Sequence, residues 1–447
     1  GQNMVGVMAV TASGKAGDRV VLKHFEVLDA QGNVYLENLR AARQTLTYTL
    51  RGHGTERYHA RFTFMGFRYV QVCEFPEEPR LEDFEGIVLH SAMEPTGHFE
   101  CSDPMVNQLQ HNILWGLKGN FVDVPTDCPQ RDERLGWTGD AQVFIREASF
   151  LMQSGPFYTK WLRDLRSEQL PGGGIPHVIP DVLQEEKHSS SGWGDAAAVC
   201  PWTVYLCQGD RSLLEEQFGS MKAWVGYIRS QARDGLLWDS GFHFGDWLAL
   251  DSHAGDYTGA TDKSLIATAF YAHSTNLVAK AARVLGYEEE ERFHRNLHDA
   301  IVEAFRREFY TPAGRLAVST QTAHVLALAF DLAREEDRER TLQGLVRLVE
   351  KKDWHLDTGF LGTPYLCHVL SQGGRSDVAY RLLLQTDYPS WLYPITKGAT
   401  TIWEHWDGIA PDGSFWSARM NSFNHYAYGA VGDWMVQAVA GLDTAEE

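Results

Sequence analysis

The stretch DVPTDCPQRDERLGWTGD at residues 123–140 points to the fold class more directly than any other part of the 447-residue chain. It holds five carboxylates, two arginines and one tryptophan, interrupted by two prolines and two glycines. Because proline and glycine break helices and strands alike, we predict a stiff polar loop. Such a loop ahead of a helix commonly presents acids to a ligand. The alternative is a salt-bridged helix entrance capped by Asp140, which we rank lower because an aromatic ring shares the loop.

The regions on both sides of this loop have a helical pattern. Asp103-Pro104 combines a good N-cap residue with a proline at the first helical position, so it predicts a helix start. Apolar residues follow at helical spacing, namely Val106, Leu109, Ile113 and Leu117. We expect about a dozen helices between residues 103 and 440. Polar, aromatic-rich loops join them, which favours paired helices in a closed ring of hairpins.

Two local signals define helices farther along the chain. Ser212-Leu-Leu-Glu215 matches a capping box before a helix that ends near Gln231. Gly373-Gly374 predicts a break between two short helices. No fixed-period repeat is visible in the sequence, so a regular solenoid is disfavoured.

Residues 1–97 have a β pattern instead. The alternation of polar and apolar residues in Thr45–Leu50 predicts a half-buried strand, and the turn-forming residues 29–33 predict a hairpin. The other expected strands are Val20–Leu28, Val34–Leu36, Arg61–Phe64 and Phe67–Val72, the last two divided at Gly66. Antiparallel strands with glycine-rich turns predict a β-sandwich in front of the helical region.

Composition limits the classes of function. Acidic residues outnumber basic ones by 59 to 40, for a formal net charge of −19, which disfavours binding to nucleic acid or to anionic membranes. No apolar run approaches the length of a membrane span. The six cysteines lack metal-ligand spacing, so we expect free thiols and neither a metal nor a cofactor. Unpaired cysteines, with no signal-peptide pattern at Gly1, favour a cytoplasmic location.

A second group of candidate residues lies near the C-terminus. Glu404 stands between Trp403 and Trp406, whose indole rings reduce the solvation of a neighbouring carboxylate. We therefore expect a raised pKa for Glu404, as suits an acid or base that works near neutral pH. His425 is a candidate to hydrogen-bond a sugar hydroxyl or to orient a carboxylate. The alternatives are a glutamate at a helix edge beside core tryptophans, and a structural histidine.

Loops that combine an acid or a histidine with an aromatic ring recur along the helical region. They occur at residues 176–181, 192–195, 244–247, 355–360 and 390–393. Sugars need both hydrogen bonds to their hydroxyls and flat faces against their C–H groups. Two separated carboxylates in an aromatic-lined cleft suit glycoside hydrolysis, and sequence spacing does not choose between inversion and retention.

The stretch DCPQRDERLGWTGD at residues 127–140 closely resembles the signature loop of the α-L-rhamnosidases of glycoside hydrolase family 78. Shorter matches in the family's order extend the resemblance over essentially the whole chain, at residues 1–6, 62–69, 94–97, 400–404 and 424–426. The resemblance implies a mainly α protein. An (α/α)6 barrel is expected at residues 98–447, preceded by a small antiparallel β-sandwich of the concanavalin type at residues 1–97.

The resemblance also implies an inverting mechanism and a set of site residues. Glu133 matches the family's general acid, and Glu404 matches its proposed general base. The positions that match sugar contacts are Asp127, Arg131, Trp137, Asp140 and His425. Rhamnose is a 6-deoxy sugar, and we assign Trp193 and Trp247 to the wall that receives its methyl group. The implied substrate is a rhamnosylated plant glycoside or polysaccharide.

The chain also departs from the family. Members usually carry further β-domains, so we expect this chain, which runs from Gly1 to Glu447, to be a piece of a longer protein. The surface that those domains cover is then either exposed or met by another subunit, which leaves a homo-oligomer open.

Two other functions are weighed against rhamnoside hydrolysis. A related (α/α)6 hydrolase or lyase that acts on another deoxy or uronic sugar ranks low, because acids outnumber Arg131 and Arg134 in the loop. A rhamnose-binding relic without catalysis is disfavoured because both Glu133 and Glu404 are present.

Overall fold

The computed structural model describes residues 1–252 and 256–445, which form two compact units. Unit 1 comprises residues 1–92, 101–135 and 393–426. Unit 2 comprises residues 93–100, 136–392 and the chain from residue 427 onward. The domain boundary that we place at residue 97 stays a prediction, and Glu447, the last residue of the expected barrel, lies outside the described residues.

Unit 1 contains two larger antiparallel β-sheets. In the first, β1 (Met4–Ser13) pairs with β4 (Thr55–Tyr58), β5 (Met65–Phe67) and β7 (Phe84–Val88). In the second, β2 (Arg19–Phe25) lies between β3 (Thr45–Thr49) and β6 (Tyr69–Glu74). Leu22 sets the register of the second sheet, because it pairs with Leu46 on one side and with Val72 on the other.

One apolar core joins the side chains of these two sheets. Alternate residues of a strand point to the same face, so each strand supplies its apolar side chains to one side. The buried residues of this core are Val10, Ala12, Met65 and Phe67 from the first sheet with Val20, Leu22, Leu46 and Leu50 from the second or its edge. The predicted β-sandwich is therefore confirmed.

The strand predictions are confirmed in part: β2 and β6 occupy much of Val20–Leu28 and Phe67–Val72, but the predicted division at Gly66 is wrong, because Gly66 lies inside β5. Strand β3 occupies the predicted segment Thr45–Leu50 almost completely. Residues 61–64 form no strand, because Phe62 is fully exposed at 102% and the segment has no partner to complete a ladder. The hairpin expected around residues 29–33 is reduced to a single bridge between Leu28 and Val34.

The helical part of unit 1 begins with α1 (Pro104–Asn120), and its predicted start is confirmed. The Asp103 side chain accepts hydrogen bonds from the backbone N–H groups of Met105 and Val106, as an N-cap should. The helix ends in a tight hairpin of β8 (Phe121–Val122) and β9 (Val124–Pro125). This hairpin leads directly into the polar loop. A short helix, α12 (Tyr393–Thr396), precedes the second candidate segment.

Unit 2 is helical. Its helices are α2 (Thr138–Leu151), α3 (Gly155–Glu168), α4 (Ala196–Gln208), α5 (Arg211–Gln231), α6 (Lys263–Leu285), α7 (Glu288–Phe309), α8 (Gln321–Ala329), α9 (Glu335–Lys351), α10 (Thr363–Gln372), α11 (Ser376–Leu383) and α13 (Val431–Trp434). A π-helical turn, Met435–Val439, extends the last of them.

Six of these helices form a closed ring inside the described part of unit 2. Helices α2, α4, α6, α8, α10 and α13 pack against one another in that cyclic order. Helices α5, α7, α9 and α11 each pack against the ring helix that precedes them, which gives the predicted hairpins. Ring helices are covered on most sides: every residue of α8 except Ala329 is buried. The expectation of paired helices in a closed ring is confirmed.

The local helix signals were correct in position and partly wrong in detail. Helix α5 ends at Gln231 as predicted, but its cap is Asp210, whose side chain accepts from the Leu213 N–H at 3.0 Å. Ser212 therefore lies inside the first turn, because the aspartate two residues earlier reaches the free N–H first. The predicted break at Gly373-Gly374 is confirmed between α10 and α11.

The structure agrees with the expectation of free thiols. All six cysteines are free, and three of them are buried, Cys128, Cys200 and Cys367. Within residues 1–252 and 256–445, no helix combines the length and the apolarity needed to cross a membrane.

Candidate active site

The loop after β9 is closed by hydrogen bonds between its own ends. The Asp127 N–H donates to the Leu135 carbonyl at 2.9 Å, and the Leu135 N–H donates to Oδ1 of Asp127 at 3.0 Å. Thr126 is tied to the Asn120 carbonyl through both its N–H (3.0 Å) and its hydroxyl (3.1 Å). This closure gives a stiff loop and places the Asp127 and Arg131 side chains in the interior of unit 1.

Arg131 joins three carboxylates in this interior. Its Nη1 and Nη2 donate to the two oxygens of Glu404 at 2.7 and 3.0 Å, and its Nε donates to Glu133 at 2.9 Å. A longer contact of 3.4 Å runs from Nη2 to Asp127. Glu133 and Glu404 therefore meet different edges of one planar guanidinium. Because the guanidinium fork is rigid, it fixes the two carboxylates relative to each other.

Glu404 is buried and strongly held. In addition to Arg131, it accepts a hydrogen bond from the Ser422 N–H at 2.8 Å, and its own N–H donates to the Ser422 carbonyl at 2.9 Å. Burial raises the pKa of Glu404, but the charge and hydrogen bonds of Arg131 lower it more, so the pKa lies well below its usual value. The expectation of a raised pKa was wrong, because Arg131 outweighs the loss of solvation.

Glu133 is more accessible than its partner carboxylate. Its side chain is 18% exposed, whereas that of Glu404 is 2% exposed. A second guanidinium contacts it: Nη2 of Arg40 donates to Glu133 at 3.2 Å, and Nε of Arg40 donates to Asp132 at 2.5 Å. The acidic loop is thus held by one buried arginine of its own and by one arginine from the β-sandwich region.

Asp127 is the third carboxyl of the cluster. Burial and the charge of Glu133 raise its pKa while Arg131 lowers it, and together they leave the pKa at about 7. Close to neutral pH this carboxyl can therefore hold or release a proton, unlike Glu404.

Two buried histidines accompany Glu404. Burial lowers the pKa of His405 and of His425 to about 4, although the charge of Glu404 acts in the opposite direction. Both are neutral at pH 7, and a neutral imidazole offers one donor and one acceptor. The backbone N–H of His425 donates to the Ile402 carbonyl at 2.8 Å, while the His405 ring stacks on Trp416 with centroids 3.6 Å apart.

The predicted tryptophans of unit 2 meet in one aromatic cluster. Phe244 lies at its centre, with ring centroids 5.8 Å from Trp137, 4.7 Å from Trp193 and 5.6 Å from Trp247. The Trp137 ring also stacks on His177, with an interplanar angle of 15°. Such a cluster offers flat apolar faces of the kind that sugars pack against.

Asp140 lies beside this cluster on α2. The helix starts at Thr138 with Trp137 at its N-cap, so Asp140 is in the first turn and the alternative reading of it as a cap is wrong. Its buried carboxyl lies at the positive end of the helix dipole. The preceding Gly139 permits close packing, since a Cβ there would lie 2.6–2.8 Å from three atoms of the Trp193 ring.

The predicted site residues thus fall into two groups. Those of unit 1 are Asp127, Arg131, Glu133, Glu404 and His425, and those of unit 2 are Trp137, Asp140, Trp193 and Trp247. The chain passes from the first group to the second between Leu135 and Gly136.

Sequence reasoning missed three residues of the unit 1 group. Arg40 stands in a polar turn without a distinguishing pattern, and Ser422 acts through its backbone, which no side-chain pattern reveals. Glu26, which accepts a hydrogen bond from the Phe423 N–H, did leave a signal, because it is an acid at the end of an apolar strand.

Asp127, Cys128 and Glu133 have ligand atoms within 4.8 Å of one another, a spacing that a metal ion could use. Arg131 already supplies a positive charge to Asp127 and Glu133. Burial also raises the pKa of the Cys128 thiol well above its usual value, which disfavours the thiolate that metals bind. The group therefore fits a guanidinium better than a metal ion.

Comparison with known families divides the chain near residue 90, whereas unit 1 also includes residues 101–135 and 393–426. Residues 94–439 match the family model described as the bacterial alpha-L-rhamnosidase 6 hairpin glycosidase domain. Residues 1–90 match the model described as the bacterial alpha-L-rhamnosidase concanavalin-like domain. Together with the ring and the sandwich, these matches confirm the predicted fold class.

Individual relatives match over nearly the whole chain. An α-L-rhamnosidase of Streptomyces avermitilis is 47% identical over 442 residues, covering 99% of this chain and 42% of that protein. One of Formosa agariphila is 44% identical over 445 residues, covering 99% and 48%. The chain therefore spans less than half the length of these curated relatives.

Solved structures of α-L-rhamnosidases also match over nearly the whole chain. The Streptomyces avermitilis α-L-rhamnosidase complexed with L-rhamnose matches with a TM-score of 0.93, over 98% of this chain and 42% of that one. The native enzyme from Aspergillus terreus, at 42% identity, matches with a TM-score of 0.95 over 99% of this chain and 52% of that one.

Proposed function

Since the chain belongs to the bacterial α-L-rhamnosidase family, we propose that it hydrolyses terminal α-L-rhamnosides with inversion at the anomeric carbon. The observation that carries this proposal is the contact of one buried guanidinium, that of Arg131, with both Glu133 and Glu404. Inverting hydrolysis needs two carboxyls held on opposite sides of the bond, in general roughly 6.5–9.5 Å apart, with room for a water. A rigid guanidinium between two carboxylates is a way to hold such a pair.

In the proposed mechanism Glu133 is the general acid. It donates a proton to the glycosidic oxygen as the bond to the anomeric carbon breaks. Its partial exposure supports this role, because a leaving group must be reached from solvent. Glu404 is the general base, which accepts a proton from the water that attacks the opposite face, and the sugar leaves as the β anomer.

The lowered pKa of Glu404 supports its role as base. A base must be ionised before it accepts a proton, and Arg131 keeps Glu404 ionised even in acid. The same charge weakens Glu404 as a base, since proton affinity falls with pKa. The ion pair thus extends the active pH range toward acid while it reduces basicity.

We propose as sugar contacts the residues that the family resemblance implies, together with Trp193 and Trp247. Asp127, Arg131, Asp140 and His425 provide hydrogen-bonding groups for hydroxyls, and the three tryptophans Trp137, Trp193 and Trp247 provide apolar faces, the last two for the methyl group. The complex of the Streptomyces avermitilis relative with L-rhamnose supports rhamnose as the sugar. A pocket for one methyl discriminates by only about 1–3 kcal/mol, so slow release of mannose is expected.

The proposal extends to the domains, the natural substrate and the oligomeric state of the chain. Two domains, residues 1–97 and 98–447, are supported by the matched ranges 1–90 and 94–439. The natural substrate is a rhamnosylated plant glycoside or polysaccharide, hydrolysed without a cofactor, and a homo-oligomer stays an open alternative to a monomer.

The decisive experiment follows the anomeric protons by NMR while the protein acts on an aryl α-L-rhamnopyranoside. Early appearance of β-L-rhamnose, before mutarotation, is the expected result. The matched controls are Glu404→Gln on the same glycoside and Glu133→Gln on an unactivated rhamnoside, whose leaving group needs a proton. Each should lower kcat by at least about 100-fold, the smallest loss typical of removing an acid or base.

Each other outcome points to a different function. First appearance of the α anomer would contradict inversion. A folded protein that binds rhamnose and releases none would be the binding relic. Release of a different sugar from a matched aryl glycoside would favour the related hydrolase.

A further inference from the structure

Glu26 is a buried carboxylate that the proposed mechanism leaves without a role. It follows β2 and is 2% exposed. Its Oε1 accepts from Nδ2 of Asn3 at 2.9 Å, while its Oε2 accepts from Nδ2 of Asn38 and from the Phe423 N–H, both at 3.2 Å. All three partners are donors. A carboxylate, which only accepts, satisfies them together, whereas an amide would turn an N–H₂ toward one of them.

These partners fix a short backbone segment, Asn421–Phe423. Nδ2 of Asn3 lies 3.1 Å from the Phe423 carbonyl, and Nδ2 of Asn38 lies 3.3 Å from the Asn421 carbonyl. With the direct bond from Phe423, Glu26 therefore holds the segment at both of its ends.

The middle residue of this segment contacts the proposed base. The Ser422 N–H donates to Oε2 of Glu404 at 2.8 Å, and the same oxygen accepts from Nη1 of Arg131 at 2.7 Å. The orientation of the Glu404 carboxylate thus depends on the position of Ser422, which in turn depends on Glu26.

Electrostatics connect the same groups. Burial and the charge of Glu404 raise the pKa of Glu26, while hydrogen bonds from Asn3 and Phe423 and the charge of Arg131 lower it, which leaves it at about 7. A buried carboxyl of this kind is costly for stability, and an apolar residue of similar volume is often neutral or better. A function in orienting Glu404 explains why an acid stands there.

We infer that Glu26 is a positioning residue: through Phe423 it keeps the Ser422 N–H on Glu404 and aims the Glu404 carboxylate at the attacking water. This inference rests on the proposed function. Glu26 acts through Glu404 and needs no contact with the sugar. A misplacement of a reacting group by about 1 Å can cost about 100-fold in rate, so the effect should be large.

The first test compares Glu26→Gln with Asp83→Asn on an aryl α-L-rhamnoside, using the whole chain. Glu26→Gln should lower kcat by about 10- to 100-fold and leave KM within about two-fold. Asp83 is the matched control, a carboxylate of the same unit that accepts from the Arg80 N–H at 2.8 Å. Its Asn variant should keep kcat within about two-fold. An unchanged kcat in Glu26→Gln would overturn the inference.

The second test separates positioning from general damage to the fold. In a Glu404→Ala background, azide replaces water as nucleophile and does not use the base. Glu26→Gln should then change the azide-rescued rate by less than about two-fold. An equal loss with and without Glu404 would overturn the inference in favour of a structural role.

A third variant covers the case in which Glu26→Gln does not fold. Asn3→Ala removes one donor from Glu26 and one from the Phe423 carbonyl, and it should lower kcat in the same direction by a smaller factor. Full kcat in this variant would overturn the inference. A wild-type protein that releases no rhamnose would overturn the proposed function, and the inference with it. An active wild type with equally active variants would overturn the inference alone.

Discussion

At the scale of single residues, Arg131 connects the three carboxylates of the unit 1 cluster. Its guanidinium contacts Asp127, Glu133 and Glu404, and none of these carboxylates is well solvated. A buried ion pair of this kind adds little net stability by itself. The loss of one partner is a different matter, because the remaining charges stay buried without compensation.

Arg131→Met should therefore destabilise the protein by about 3–5 kcal/mol at pH 7. Arg131 holds the folded pKa of Glu404 below its unfolded value near 4.5, so the pair stabilises above that pH and loses its effect as the pH falls through the folded pKa. The difference from wild type should thus be largest near neutrality and shrink in acid. Urea unfolding at several pH values measures it.

The matched control is Arg134→Met in the same loop. Arg134 donates to the Arg131 carbonyl at 2.8 Å, a neutral partner, so its loss should cost only about 0.5–1.5 kcal/mol and vary little with pH. Equal costs and equal pH dependence for the two variants would contradict the proposed role of Arg131.

At the scale of elements, sequence prediction succeeded where the chemistry is local. The start of α1 follows from Asp103 and Pro104 alone, and β3 follows from its alternation. The pKa of Glu404 does not follow from its sequence neighbours, because its dominant partner Arg131 is 273 residues away in the sequence. The contact between Glu26 and Phe423 joins residues 397 apart. Such pairs have no signature in any sequence window.

The packing of α2 against its aromatic neighbours gives a prediction for an element. Gly139→Ala would place a methyl group 2.6–2.8 Å from the Trp193 ring, so the ring or the helix must move. Overpacking of this kind typically costs about 1–3 kcal/mol. If Trp193 contacts the sugar, the KM for an aryl rhamnoside should rise as well, and steady-state kinetics with thermal unfolding measure both effects.

Gly226→Ala is the control for that change. Gly226 lies inside α5 and has nothing within 4 Å of a new Cβ. Alanine is the better helix former, so this variant should be stabilised by up to about 1 kcal/mol with unchanged kinetics. A Gly139 variant that behaves in the same way would show that the Trp193 contact is unimportant.

At the scale of the whole molecule, the family resemblance predicts more of the architecture than hydrophobic periodicity does. Residues 127–140 indicated the family, and the family implied the six-hairpin domain that residues 94–439 match. Periodicity alone indicated paired helices. It did not identify which helices close the ring, since closure joins α2, which begins at Thr138, to α13, which ends at Trp434. Closure depends on contacts between helices far apart in the sequence, which no local pattern contains.

Trp434 is the residue on which this closure should depend most. It is 1% exposed, its Nε1 donates to the Ser371 hydroxyl at 2.9 Å, and its ring meets Tyr380 edge to face at 5.3 Å. These contacts attach α13 to α10 and α11. Trp434→Ala removes them and leaves a large cavity, so unfolding should be easier by about 3–5 kcal/mol.

Denaturant unfolding followed by circular dichroism tests this, with Phe62→Ala as the control. Phe62 is 102% exposed, so its loss should change stability by no more than about 0.5 kcal/mol. Trp434→Phe keeps most of the apolar volume and loses the hydrogen bond to Ser371. Its stability should therefore lie between those of the Trp434→Ala and Phe62→Ala proteins. A Trp434→Ala protein as stable as the Phe62 variant would contradict this prediction. It would mean that the other five helix–helix contacts of the six-helix ring suffice for its stability, and that the packing of α13 adds little.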